Sequence, residues 1–271
     1  RTRLIFSRGA VGRLGELVSE LGGRRVLLVT DPGLVRAGHA ERVTAALSAH
    51  VKEFVLFDRV RENPDTQCVD ECVEVARDFQ PDVLVGLGGG SSLDTAKGCN
   101  FLHTNGGRMQ DYWGVGKAKR PMLPFIAIPT TAGTGSECQS AALIADEKTH
   151  QKMACLDPKA AARIALLDPE LTLSQPIRVT ACTGLDALAH AVPDLAKRRV
   201  HLCGPPPMMD AIRRILVGKH FVDKFEEAQN LGVEPAVLDE ARARHYEAHV
   251  HWEYWTASNG SHFHNPDLAM E

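Results

Sequence analysis

Residues 81–97, PDVLVGLGGGSSLDTAK, constrain this chain more than any other stretch. The apolar run 82–87 has the character of a strand buried on both faces of a parallel sheet, and Gly88, Gly89 and Gly90 end it abruptly. Ser91 or Ser92 is expected to cap the helix that follows. Three glycines let the backbone turn with positive φ and let a ligand come closer than any Cβ allows, while the free N–H groups of a new helix point into the same space. A phosphate or pyrophosphate suits that geometry. A tight strand-to-helix connection without a ligand suits it equally, because this turn is not GxGxxG.

The 271 residues are 44% hydrophobic with a formal net charge of -3, enough for one large or two modest cores. Mixed signs near neutrality argue against nucleic acid as a partner, and the basic clusters at Arg24-Arg25 and Lys197-Arg198-Arg199 read as solvated surface. No membrane partner is expected, since no apolar run approaches a span, and residues 1–15 do not read as a secretory signal. Seven scattered cysteines fit a reducing, cytoplasmic setting.

Before the glycine turn the order is strand 2–5, helix 10–21, strand 25–30, helix 41–48, strand 51–57 and helix 66–79. The expected class is therefore α/β, a doubly wound Rossmann-like dinucleotide-binding domain followed by a short, atypical, mainly helical C-terminal region. Asp31 follows the second of these strands directly. There a carboxylate can accept from two ribose hydroxyls and repel a 2′-phosphate, favouring NAD over NADP, although Asp31-Pro32-Gly33 is also an ordinary turn signal. Cys68 and Cys72, one helical turn apart, read as core thiols.

A second loop has similar character. Residues 123–128 form a buried strand, and Thr130, Thr131, Gly133, Thr134, Gly135 and Ser136 follow, small hydroxyl donors matched to phosphate oxygens and a carboxamide. Two such loops leaving two buried strands make a ligand the better reading. Segments 141–145, 152–156 and 163–167 read as a small antiparallel excursion and a return to the sheet, with Lys152 able to point its charge toward a cofactor. On the helix 179–192, Asp186 and His190 leave the same face one turn apart. That spacing makes half of a site for Fe(II) or Zn(II), and equally an ordinary Asp/His helical pair.

GGGSSLDTAK, AIPTTAGTGSE, KMACLDPKAAARIALLDPELT and TGLDALAHAV, in this order and at these separations, closely resemble the iron-containing (group III) alcohol dehydrogenases over residues 1–192. The resemblance implies NAD and a divalent metal as cofactors, with a small alcohol or aldehyde as substrate. It implies that Asp31 contacts the adenosine ribose, that Asn63 lies beside the cofactor, and that Gly89, Gly90 and Ser91 bind its pyrophosphate. Asp94 belongs to the same implied cofactor set. Thr130, Thr131 and Thr134 would complete the pocket, with Lys152 and Leu171 toward the nicotinamide and Asp186 and His190 as the first two metal ligands, catalytic through the metal. On this reading residues 1–178 are the dinucleotide-binding domain and 179–192 the first helix of the family's metal-binding helical domain.

Past Val192 the family's helical continuation is not recognisable, so two further metal ligands and much of the substrate pocket lack counterparts and turnover is expected to be impaired. Residues 193–218, with RRVHLCGPPPMMDAIRRIL, resemble a strand, turn and helix of ferredoxin-NADP reductase-like flavoenzymes, without a flavin motif, and a buried strand and helix joined by a proline-rich turn is the preferred reading. Residues 219–271 form a helical, His-rich tail whose end, EARARHYEAHVHWEYWTASNGSHFHNPDLA, resembles multihaem cytochrome c nitrite and hydroxylamine reductases, with His264 in the place of a haem ligand. The chain has no CxxCH, so haem attachment does not follow. His245 and His249, at i,i+4 spacing, are candidates for the remaining metal ligands, with surface histidines on an amphipathic helix as the default reading. The three blocks suggest a composite chain. Its expected activities are metal-assisted hydride transfer, NAD binding without turnover or, last, electron transfer through the tail. Uncovered sheet surface is compatible with self-association, as a homo-oligomer or by aggregation, and oligomeric state is left open.

Overall fold

A computed structural model describes residues 2–48 and 50–191. The chain divides into two compact units, Arg1–Gln175 and Pro176–Glu271. In the first unit the strands are β1 (Arg3–Phe6), β2 (Arg25–Val29), β3 (Glu53–Phe57), β4 (Val83–Gly88), β5 (Gly114–Val115), β6 (Phe125–Pro129), β7 (Ala141–Ala145), β8 (Lys152–Leu156) and β9 (Ile164–Leu167). Its helices are α1 (Leu14–Glu20), α2 (Pro32–Arg36), α3 (His39–Ser48), α4 (Thr66–Phe79) and α5 (Gly90–Asn105). Of the second unit the described element is α6 (Ile177–Ala191).

Six strands form one sheet in the order β1-β9-β6-β4-β2-β3, every pairing parallel. Alternation along the central strands decides which core each side chain joins. Leu27, Val29, Leu84, Phe125 and Ala127 pack on the face covered by α4 and α5, and Val26, Leu28, Val83, Val85, Leu87, Ile126 and Ile128 pack on the face covered by α1 and α3. Burying each of the larger side chains contributes about 1.5–3 kcal/mol, which is why continuous apolar runs, not alternating ones, mark these strands.

The excursion after β6 is as the pattern predicts. β7 and β8 pair antiparallel, β5 joins β8 in a small second sheet, and β9 returns to the main sheet beside β6 and β1. One predicted element differs in kind and one helix is added. The helix expected over 10–21 is a 3-10 turn, Ala10–Arg13, leading into a short α1. An extra helix, α2, starts at Pro32, because the Asp31 carboxylate accepts from the N–H groups of Gly33 (2.8 Å) and Leu34 (3.1 Å). No described helix is long and apolar enough to cross a membrane.

Sheet order also locates the site. From β2 the chain moves to β3 on one side, and β4 then lies on the other side of β2, so the direction of winding reverses between β2 and β4. Ligands of open α/β sheets sit beyond the carboxyl ends of strands at such a reversal.

Candidate nucleotide site

Three loops leave the carboxyl ends of β2, β4 and β6. Gly88 at the end of β4 lies opposite Pro129 at the end of β6, and the Thr130 N–H donates to the Gly88 carbonyl at 3.0 Å. On the other side the Thr30 hydroxyl donates to the Leu87 carbonyl at 2.9 Å, which holds the Asp31 segment against the same turn. Gly88 itself has φ of 147°. A side chain there would be strained by the backbone and would run into Ser92 Oγ, so the turn requires glycine.

Neither Ser91 nor Ser92 caps α5. The helix opens at Gly90 with Gly89 as its N-cap and no side-chain cap at all. Ser91 Oγ accepts from the Asn63 N–H (3.3 Å), and Ser92 Oγ donates to Asp31 Oδ2 (3.5 Å). Both hydroxyls tie neighbouring loops to the helix. The N–H groups of Gly90, Ser91 and Ser92 make no hydrogen bond among the described residues, and the Leu93 N–H is the first of the helix to find a carbonyl, that of Gly89 at 3.2 Å.

This bare N-terminus faces the threonine loop. A Cβ on Gly89 would sit 3.2 Å from Thr131 Oγ1, and one on Gly90 would sit 3.4 Å from Thr134 Cγ2. Thr131 Oγ1 is buried with no hydrogen-bond partner among the described residues, as is Glu137 Oε2 of the same loop. A buried hydroxyl without a partner beside the uncapped N-terminus of a sixteen-residue helix is a donor set of the kind that binds anions. The pyrophosphate of a dinucleotide fits this donor set.

The other predicted cofactor residues divide into those at the rim and those behind the wall. Asn63, held at φ 51°, receives the Lys152 ammonium on its Oδ1 at 3.5 Å, so Asn63, Lys152 and Ser91 come together at one edge. Asp31 contacts the next residue of α5, its Oδ1 occupied in capping α2 and its Oδ2 toward Ser92. Thr130 is buried, with both its carbonyl and its hydroxyl receiving the Gln175 amide (3.0 and 3.2 Å). Leu171 is fully buried in the core with Leu87 and Ile128, which places its side chain away from any ligand-facing surface.

Asp94 also stands behind the wall. It is buried, and its Oδ1 accepts from the Ser136 hydroxyl at 2.6 Å and from Lys97 Nζ at 3.4 Å. Lys97, to which no role is assigned from sequence, has a fully buried side chain. Its ammonium reaches the Ser136 carbonyl (2.7 Å), the Ser136 hydroxyl (2.7 Å) and the Ala141 carbonyl (2.8 Å). Burial lowers the Lys97 pKa, and the Asp94 carboxylate partly offsets that effect. The available signal was the DTAK spacing: a Lys three residues after an Asp on a helix otherwise built of small and apolar residues has one carboxylate within reach and no solvent.

Asp186 and His190 lie within the backbone of α6, and their side chains are outside the described set. Among the described residues no three His, Cys, Asp or Glu side chains are grouped as a metal would require. His245, His249 and His264, with the segments 193–218 and 219–271, lie outside the described residues.

A family model described as "Iron-containing alcohol dehydrogenase" matches residues 1–169. The chain is 38% identical over 207 residues to the NAD-dependent methanol dehydrogenase of Bacillus methanolicus, covering 76% of this chain and 53% of the relative. It is 34% identical over 241 residues to the sulfoacetaldehyde reductase of Bilophila wadsworthia, covering 87% of this chain and 60% of the relative. A crystal structure of 1,3-propanediol oxidoreductase superposes with a TM-score of 0.68 at 34% identity, covering 70% of this chain and 50% of that one. The chain belongs to the iron-containing alcohol dehydrogenase family, and its described α/β unit is that family's Rossmann-like N-terminal domain.

The chain spans about half the length of the curated relatives it matches, 53% and 60% for the two named here. The match to the family model itself ends at residue 169. The ferredoxin reductase and cytochrome resemblances gain no support from these matches.

Proposed function

We propose that this protein binds NAD in the cradle between the N-terminus of α5 and the loop 130–140, and that it takes part in metal-assisted hydride transfer between a small primary alcohol or diol and that cofactor. The observation carrying the nucleotide half is the uncapped N-terminus of α5 against the unsatisfied Thr131 hydroxyl. Backbone N–H groups of residues 90–92 would hold the pyrophosphate, with the helix dipole favouring its charge. Asp31 would face the adenosine ribose and disfavour a 2′-phosphate. Asn63 would lie beside the cofactor and Lys152 toward its nicotinamide end, with Thr134 lining the pocket.

The hydride half rests on the family. A divalent metal, Fe(II) or Zn(II), held in part by Asp186 and His190, would supply Lewis-acid chemistry at the alcohol oxygen. This chain's own part is to fix the dinucleotide, exclude water from its phosphates and orient its reactive ring. The relatives' names support the substrate class: one is a methanol dehydrogenase and another a sulfoacetaldehyde reductase. The half-length coverage favours a second reading, nucleotide binding without turnover.

Titration with NADH, followed by fluorescence, tests the first half. Anaerobic turnover of short primary alcohols and diols with added Fe(II), beside an Asp186→Ala variant, tests the second. We expect NADH to bind both proteins and turnover to be confined to the unsubstituted one. Binding with no turnover in either selects the second reading, and no binding at all removes both.

A further inference from the structure

We infer that Lys97 and Ser136 are positioning residues that set the width of the nucleotide cradle, without touching the nucleotide. The Lys97 side chain has no exposure, and its three N–H donors are matched by acceptors from three separate pieces of chain. Those acceptors are Asp94 on α5, both oxygens of Ser136 in the loop 130–140, and the Ala141 carbonyl at the start of β7. Ser136 closes the triangle by donating to Asp94 at 2.6 Å.

The glycine wall and the threonine wall of the cradle are thereby anchored to one buried cation. Lys97 sits two helical turns below Gly90, on the helix whose first residues face Thr131 and Thr134 across gaps of 3.2 and 3.4 Å to where a Cβ would be. Apart from the Ser140 carbonyl, which accepts from the Asp157 N–H at 3.0 Å, the loop has few other ties to the fold. Gly133 and Gly135 have φ of 90° and 62°, and the hydrogen bonds of Thr134, Cys138 and Gln139 stay within the loop. What fixes its distance from α5 is the Lys97–Ser136–Asp94 cluster at one end and the pairing of Thr130 with Gly88 and Gln175 at the other. A buried charge meeting good acceptors holds more firmly than a surface pair, because removing either partner leaves the other unsatisfied in a medium of low dielectric.

The inference rests on the nucleotide reading of this cradle, and two measurements on the full chain keep the two separable. Amide hydrogen exchange over residues 130–140 without nucleotide, compared among the unsubstituted protein, Lys97→Met and Ser136→Ala, reads the clamp directly. NADH titration of the same three proteins reads its consequence. We expect exchange in this loop to accelerate about tenfold or more in Lys97→Met and less in Ser136→Ala, with NADH affinity falling in the same order. Should Lys97→Met fail to fold, Ser136→Ala, which leaves the charge pair in place, still decides. Unchanged exchange in the loop overturns the inference. If affinity falls while exchange is unchanged, Lys97 acts on the ligand itself and the positioning role is again overturned. If NADH does not bind the unsubstituted protein, the functional reading fails and loop exchange alone decides the clamp.

Discussion

Thr131 concentrates the argument at the scale of single residues. Its hydroxyl is buried beside Gly89 with no partner among the described residues, an arrangement that costs about 1–3 kcal/mol in the unliganded protein. Thr131→Val keeps the shape and removes the unsatisfied oxygen. Two measurements should therefore move in opposite directions. The melting temperature without ligand is expected to rise by about 2–4 °C, while NADH binding weakens by roughly tenfold through loss of one hydrogen bond. Calorimetry and fluorescence titration of the same protein check both. A fall in both stability and affinity would mean that the hydroxyl has a partner inside the fold.

At the scale of elements, the loops are held by contacts that bridge distant parts of the chain. His39, at the start of α3, is largely buried, and its Nε2 lies 2.5 Å from the Ser174 hydroxyl. Burial lowers its pKa from 6.5, and the neighbouring Arg42 guanidinium lowers it further. Arg42 is itself paired with Asp168 and Glu170. Because the folded state prefers neutral His39, the stability this residue contributes is complete above 6.5 and is lost as pH falls through the depressed folded value. Melting temperature is thus expected to drop between about pH 7.5 and about pH 5, and His39→Gln to flatten that drop. A slope unchanged in the variant would assign the acid sensitivity elsewhere.

For the molecule as a whole, burial separates the thiols. Cys68, Cys72, Cys99 and Cys155 are buried, and Cys138 is exposed on the loop 130–140. Burial raises the Cys72 thiol well above its ordinary range and pushes Cys155 up to about 12, so neither supplies thiolate near neutrality. Labelling the native protein with a thiol reagent, followed by peptide mapping, is expected to modify Cys138 far faster than those four. NADH should slow that reaction, since the loop carrying Cys138 also carries Thr131. Rapid labelling of Cys72 or Cys155 would show that the α4–α5 face opens in solution.

What could be read without coordinates was whatever depends on neighbours in sequence. Apolar runs at 83–87 and 123–128 announced strands buried on both faces, and glycines and small hydroxyls announced loops able to approach a ligand, because each signal is local and has a local steric cause; Asp31-Pro32-Gly33, a turn signal, opens a helix instead. Tertiary structure alone decided which of those residues face the cradle. Ser91 and Ser92 reach across to Asn63 and Asp31 instead of capping their own helix, and Leu171 turns into the core. Asp94 belongs to a buried cluster with Lys97 and Ser136. The contacts Asn63–Ser91, Asp94–Ser136 and Asp31–Ser92 join residues 28, 42 and 61 apart in the chain. The electrostatic cost of burying a charge or a hydroxyl is settled only when its partner has been brought beside it.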